Sequence, residues 1–358
     1  EDSAYDPKKA VLAADKLIGS DKVFALVGTL GSTPALATMP KALEAGVLHL
    51  FPLTSHHSMF EPFHRLKFAA FTPYADSTRA GLAEMLRRGS YKRVGILYQD
   101  DEFGMDILAG SEAALKAAGQ TLVERVSYKR GATDFSSQMA RLKAANPDLI
   151  VLATVVRETI GAMGEARKLG YAGDFFGSQG SYLPVTPKIG GKAVDGLYNV
   201  NEIPAPYRDD SGNSKLLNDW MDTYKARFNA EADLGAVFGW FLMDMVVRTL
   251  DKAGPALSTD SFIKALEGST FPRSFLGTPE VSFSASKRLG NSQARIAQIR
   301  NGRWVSVQSG EVILDTDIAV INGRIAYVGS DAGHCLGPKT RVIEAAGRYL
   351  VPGLLDAH

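Results

Sequence analysis

Short apolar runs alternate with helix-period segments along most of this chain, and that alternation leaves few folds open. Residues 23–28, 47–52 and 68–72 are apolar runs; helical patterns cover residues 7–18 and 34–45. Runs without polar alternation read as strands buried on both faces, which is what a parallel sheet flanked by helices requires. A second series follows, with strands predicted over 93–98, 122–128, 149–155, 175–177 and 197–201 and helices over 77–88, 105–118, 135–145 and 158–169. Residues 214–228, 234–252 and 259–266 then return to helical periodicity, with Thr259 as the expected cap of the last helix. The fold class expected is α/β: two doubly wound, Rossmann-like lobes joined by hinge crossovers, with the cleft between them as the ligand site. The lobes are placed at residues 1–73 with 204–275 and at 74–203 with 276–307, leaving 308–358 as a separate fragment.

The first strand ends in the turn Gly28-Thr29-Leu30-Gly31, followed by Ser32, Thr33 and Pro34. Ser and Thr suit helix caps and Pro suits the first helical turn, so a helix N-terminus is predicted here. Its unpaired amides and positive dipole end favour an anion, and a carboxylate is a plausible guest. The Lys-Ser/Thr of a phosphate loop is absent, and Gly28 and Gly31 do not complete a dinucleotide fingerprint.

Composition narrows the function classes. Forty basic and 39 acidic residues give a net charge of +1, so no global charge points to nucleic acid or an anionic membrane surface. The single cysteine, Cys335, excludes an intrachain disulfide. No run reaches the roughly 18 apolar residues of a membrane span. The nearest, residues 235–247, contains Asp244 and reads as a buried helix. The chain opens on Glu1-Asp2-Ser3 and shows no signal peptide.

Residues 28–39, the loop after Phe51-Pro52, RVGILYQDDEFGMDILAG (93–110), YKRGATDFSSQMARLKAANPDLIVL (128–152) and DFFGSQGSY (174–182) follow one another at family spacing. Together they resemble the leucine/isoleucine/valine-type periplasmic binding proteins, the solute receptors of ABC importers, over residues 1–307. The resemblance implies a type I periplasmic binding fold that closes on a small polar solute, without catalysis and without a cofactor. It also implies a periplasmic monomer whose partners are a small-molecule solute and the importer's membrane permease, with no nucleic acid and no membrane insertion.

Carried over by position, Gly31, Ser32 and Thr33 match the cradle for a ligand carboxylate, and Leu53, Thr54, Ser55 and His56 match the second-strand loop. Phe103 stands where the family often has Tyr. Thr154, Val155, Val156 and Arg157 match the loop that closes over the ligand side chain, Tyr182 follows the Gln179 loop, and Trp240 stands at an aromatic position lining the pocket. Gln179 departs from the family, whose amino-acid binders carry a carboxylate there to pair the ligand ammonium. A neutral amide forgoes a charged hydrogen bond worth roughly 1.5–3 kcal/mol. The expected ligands therefore include branched or aromatic carboxylates or amides as well as branched-chain amino acids, and Arg157 turned inward would favour the anionic ones. Glu1 aligns after the family's opening strand and helix, so lobe 1 is expected to be incomplete and the chain to bind weakly or fold marginally.

From about residue 309 the pattern changes. GEVILDTDIAVINGRIAYVG alternates like strands about an Asn322-Gly323 hairpin turn, and VIEAAGRYLVPGLLDAH ends the chain. This resembles the N-terminal section of metal-dependent amidohydrolases, especially adenine deaminases, where the closing motif carries a metal-binding His pair. His358 matches the first of that pair, a lone remnant, so the fragment reads as a fusion or read-through. The alternative function is an amidohydrolase-related metalloenzyme, inactive in this form because the barrel is missing. His49, His64 and His334 show no ligand spacing. The His56-His57 pair is read as a polar cleft loop rather than a metal site, and Asp100-Asp101-Glu102 as a solvated loop entering a helix.

Overall fold

A computed structural model describes residues 1–307, 312–313, 317–321, 324–329, 337 and 340–342. His334, Cys335, the Asn322-Gly323 turn and His358 lie outside the described residues. The chain divides into two compact units, Glu1–Val312 and Ile313–His358.

In the first unit, helix α1 (Pro7–Asp15) starts where Asp6 accepts the Lys8 and Lys9 amides and Pro7 occupies the first turn. Strand β1 (Ala25–Val27) leads into α2 (Ser32–Glu44), then β2 (Leu48–Leu50) and β3 (Lys67–Phe68). These strands form a parallel sheet in the order β1-β2-β3. The helix α2 starts earlier than the cap pattern suggests. Gly31, at φ 91°, is the N-cap, and Ser32 is already helical. The Ser32 side chain therefore does not cap and is available to bond elsewhere.

The chain then crosses to α3 (Tyr74–Arg88), β4 (Val94–Gln99), α4 (Glu102–Ala117), β5 (Leu122–Tyr128), α5 (Ser136–Ala144), β6 (Leu149–Ala153), α6 (Val156–Lys168), β7 (Asp174–Gly177), α7 (Val185–Gly190) and β8 (Tyr198–Asn201). After β8 come α8 (Lys215–Phe228), α9 (Leu234–Ala253), α10 (Thr259–Glu267), β9 (Thr270–Phe271), β10 (Val281–Ser282), β11 (Gln293–Arg300) and β12 (Arg303–Ser306). The second sheet runs β12-β11-β8-β7-β6-β4-β5, with β11 antiparallel to both β8 and β12. Strand β6 is buried at every position, matching its unbroken apolar run. In α9, Val237, Phe241, Leu242, Met245 and Val246 face the core, and Phe241 meets Phe71 beside the first sheet. No described helix is long and apolar enough to cross a membrane. The cap of α10 is Ser258, in a reciprocal capping box with Ser261, one residue before the expected Thr259.

The chain passes between the sheets after β3, after β8 and before β11. The last passage lies at residues 289–291 rather than near 275. Phe283 packs on Phe51 and Phe68, and Gly290 donates to the Ala69 carbonyl, so residues 281–290 belong with the first sheet. All three passages meet at Glu202. Its buried carboxylate accepts the Thr72 amide at 3.0 Å and the Asn291 side-chain amide at 2.7 Å.

After β13 (Val312–Ile313), the second unit contains an antiparallel pair, β14 (Asp317–Ile321) and β15 (Arg324–Gly329), with a register irregularity between Ala319 and Val320.

Candidate functional site

The turn after β1 and the loop after β2 are stitched side by side. Gly31 donates to the Leu53 carbonyl at 3.1 Å, Leu53 donates to the Thr29 carbonyl at 2.9 Å, and the Ser32 and Thr54 hydroxyls bond at 2.8 Å. Ser32, Thr54, Ser55 and His56 are all buried. The first amides of α2 have no acceptor within their own helix, and Pro34 contributes none. Two hydroxyls and these amides thus share one small, electropositive corner.

Tyr5 covers this corner. A Cβ on Gly31 would lie 1.8 Å from the Tyr5 ring, so a side chain at position 31 and the present ring position exclude each other. Arg130 lies over the Tyr5 ring, 3.6 Å from its centroid, and donates to the Tyr5 carbonyl. Burial pushes the Tyr5 phenol above its ordinary range, with Arg130 opposing. A cavity of about 470 Å³ opens beside this pair, lined by Tyr5, Gln99, Arg130, Val155, Arg157 and Glu158.

From the second sheet, Asp101 caps α4 by accepting the Phe103 and Gly104 amides. That places Phe103 under Tyr74, ring to ring at 5.0 Å and nearly perpendicular. Phe103 and Val155 both border Gly180: a Cβ there would meet Phe103 at 2.8 Å and Val155 at 3.4 Å. Thr33 reaches across to Glu102, donating at 3.1 Å. Thr154 bonds to Thr159 within the start of α6, where Val155 is the N-cap and Val156 the first helical residue.

The remaining expected positions are Arg157 at the cavity and Gln179, Tyr182 and Trp240 packed away from it. Arg157 lines the cavity, yet its side chain is 77% exposed and reaches Glu158 only at 3.5 Å. Glu158 is buried, and its Oε2 has no hydrogen-bond partner among the described residues. Gln179 turns to the crossovers, donating to Ser77 Oγ at 2.7 Å and to the Thr72 carbonyl at 3.3 Å. Tyr182 packs on Trp304, and its hydroxyl accepts the Ala205 amide at 3.1 Å. Trp240 stacks edge-on with Phe275 at 5.3 Å.

Tyr5, Gln99, Arg130, Glu158, Asp106 and Glu202 escaped sequence reading. Tyr5 immediately precedes the Asp6-Pro7 helix start, and Glu202 follows β8 before Pro204, so each stood at a strand or helix end, where sites concentrate in α/β folds. At the loop mouth, His57 Nδ1 lies 2.7 Å from Asp106 Oδ1.

Residues 1–303 match the Periplasmic binding protein family, and the chain belongs to it. Among solved structures it is similar to a leucine binding protein LivK from Thermotoga maritima, with TM-score 0.77 and 19% identity over 88% of this chain and 87% of that one. A branched chain amino acid ABC transporter protein from Thermus thermophilus with bound valine gives TM-score 0.76 and 16% identity over 87% and 84%. A solute binding protein from R. palustris in complex with benzoate gives 0.74 and 18% over 86% and 83%. The type I periplasmic binding fold is thereby established. Separately, a 60-residue segment is 62% identical to Adenine deaminase 3 of Rhizobium meliloti, covering 17% of this chain. The chain spans about a tenth of the length of the adenine deaminases it matches.

Proposed function

We propose that the chain is a periplasmic solute receptor that holds a small carboxylate in the cleft and delivers it to the permease of an ABC importer. The observation that carries this reading is the corner built by the first amides of α2 with the Ser32 and Thr54 hydroxyls, covered by Tyr5, whose ring also lines a cavity of about 470 Å³. Val155 and Tyr5 give the cavity an apolar and aromatic lining, suited to a branched or aromatic body. The structural neighbours carry valine in one case and benzoate in another, and both are carboxylates of that kind.

Gln179 offers a donor to the crossovers and no negative charge to a ligand ammonium. This supports acids without an α-amino group at least as well as amino acids. Calorimetric titration with valine, leucine, benzoate and other branched or aromatic acids tests the reading. A one-to-one complex with an acid is expected, weakened about tenfold in Ser32→Ala; no binding by any acid overturns it.

The second reading, an amidohydrolase-related metalloenzyme, has the adenine deaminase similarity as its support. An adenine deamination assay in the presence of divalent metal tests it, and no turnover is expected.

A further inference from the structure

His56 and His57 follow β2, and Asp106 sits one turn into α4, beside the other sheet. The two imidazoles lie close together, with centroids 4.3 Å apart and planes tilted by 32°. Asp106, itself buried, takes the His57 ring at 2.7 Å through one oxygen and the His57 amide at 3.2 Å through the other. One ligating atom from each of the three residues falls within 4.8 Å of the other two. Asp101 and Glu102, at the start of the same helix, add negative charge to the surroundings of His56.

We infer that His56, His57 and Asp106 form a binding site for a divalent transition-metal ion such as zinc or nickel, which ties the loop after β2 to helix α4. Two imidazoles and one carboxylate are the donor set that borderline ions select, with water completing the coordination. Ligand atoms about a tetrahedral ion sit about 3.4 Å apart, so the set, now within 4.8 Å, draws in by up to about 1.4 Å and the His57 Nδ1–Asp106 Oδ1 bond at 2.7 Å gives way to the ion. His57 can make that movement, because about half of its side chain is exposed. Either nitrogen of His56 can ligate at the cost of one bond, the Ser58 amide to Nδ1 at 3.2 Å. A simple His57–Asp106 ion pair accounts for two of the three residues but not for the second imidazole beside them. The inference is independent of which solute the cleft accepts, since the ion alone is the probe.

The test is titration of the chelator-treated, untagged chain with zinc and with nickel, followed by calorimetry and by thermal unfolding. One ion per chain is expected, with a rise in melting temperature. His57→Ala and Asp106→Asn are each expected to weaken the ion about tenfold or more. The exposed His57 can be removed without disturbing the core, so loss of binding there is not a folding failure. Absence of saturable binding, or equal affinity in His57→Ala and the double variant His56→Ala/His57→Ala as in the wild type, overturns the proposal.

Discussion

The guanidinium of Arg130 lies 3.6 Å from the centre of the Tyr5 ring, and the edge of the same ring fills the space a side chain on Gly31 would need. The contact joins the segment before α1 to the loop after β5, and both residues line the cavity. A cation over an aromatic face contributes about 0.5–2 kcal/mol, depending on how dry it is. Arg130→Ala is therefore expected to weaken solute binding by roughly two- to thirtyfold, as measured by calorimetry. An unchanged affinity would show that the contact plays no part in closing the cleft.

Gly31→Ala tests the same corner from the other side. At φ 91° a side chain is strained, and its Cβ would lie 1.8 Å from the Tyr5 ring. A cost of about 1–3 kcal/mol in urea unfolding is expected for the backbone alone, together with loss of solute binding as the ring is displaced. Normal stability and binding would contradict the described packing.

The pH dependence of stability has two opposing contributions. Burial pushes the Glu202 carboxyl up to about 8, only partly opposed by its hydrogen bonds to Thr72, Gln179 and Asn291. The folded state thus holds a proton that the unfolded chain releases, and this stability is lost as pH rises through about 8. His49 acts oppositely at lower pH. Burial pulls its imidazole down to about 4, with Lys67 adding to the effect, so its contribution is lost as pH falls from its ordinary value toward about 4. Urea unfolding between pH 6.5 and 8.5 isolates Glu202: stability should decline with pH in the wild type and stay flatter in Glu202→Gln. Parallel profiles would remove Glu202 as the source.

His49 allows a separate test. It is buried in the middle of β2, and neither ring nitrogen has a hydrogen-bond partner among the described residues. An unsatisfied buried polar group costs about 1–3 kcal/mol. His49→Leu is expected to raise the urea midpoint, most clearly below pH 6.5. A lowered midpoint at every pH would mean that the imidazole is favourable where it sits.

The alternating pattern was sufficient for the architecture because strands such as β4 and β6 are buried on both faces and read as unbroken apolar runs. Strand β11 escapes the pattern because its polar residues, Gln293, Arg295, Gln298 and Arg300, fall at irregular spacing and give neither an unbroken apolar run nor a strict alternation. Prolines at 184 and 187 obscured α7. Within the site, the Gly31-Ser32 turn was legible from local chemistry, although the helix starts at Ser32 and frees its hydroxyl for Thr54. Tyr5 with Arg130, 125 positions apart, and His57 with Asp106, 49 apart, meet only through tertiary packing, and no local spacing signals them.

The role proposed for the Gly31-Ser32 corner is recognition of a carboxylate. The most direct measurement is paired calorimetric titration with an acid that binds and with its primary amide, which has the same shape without the charge. The acid is expected to bind one-to-one and its amide at least about tenfold more weakly, because charge-assisted bonds to free helix amides are lost. Equal affinity for acid and amide would contradict the assignment of that corner to a carboxylate.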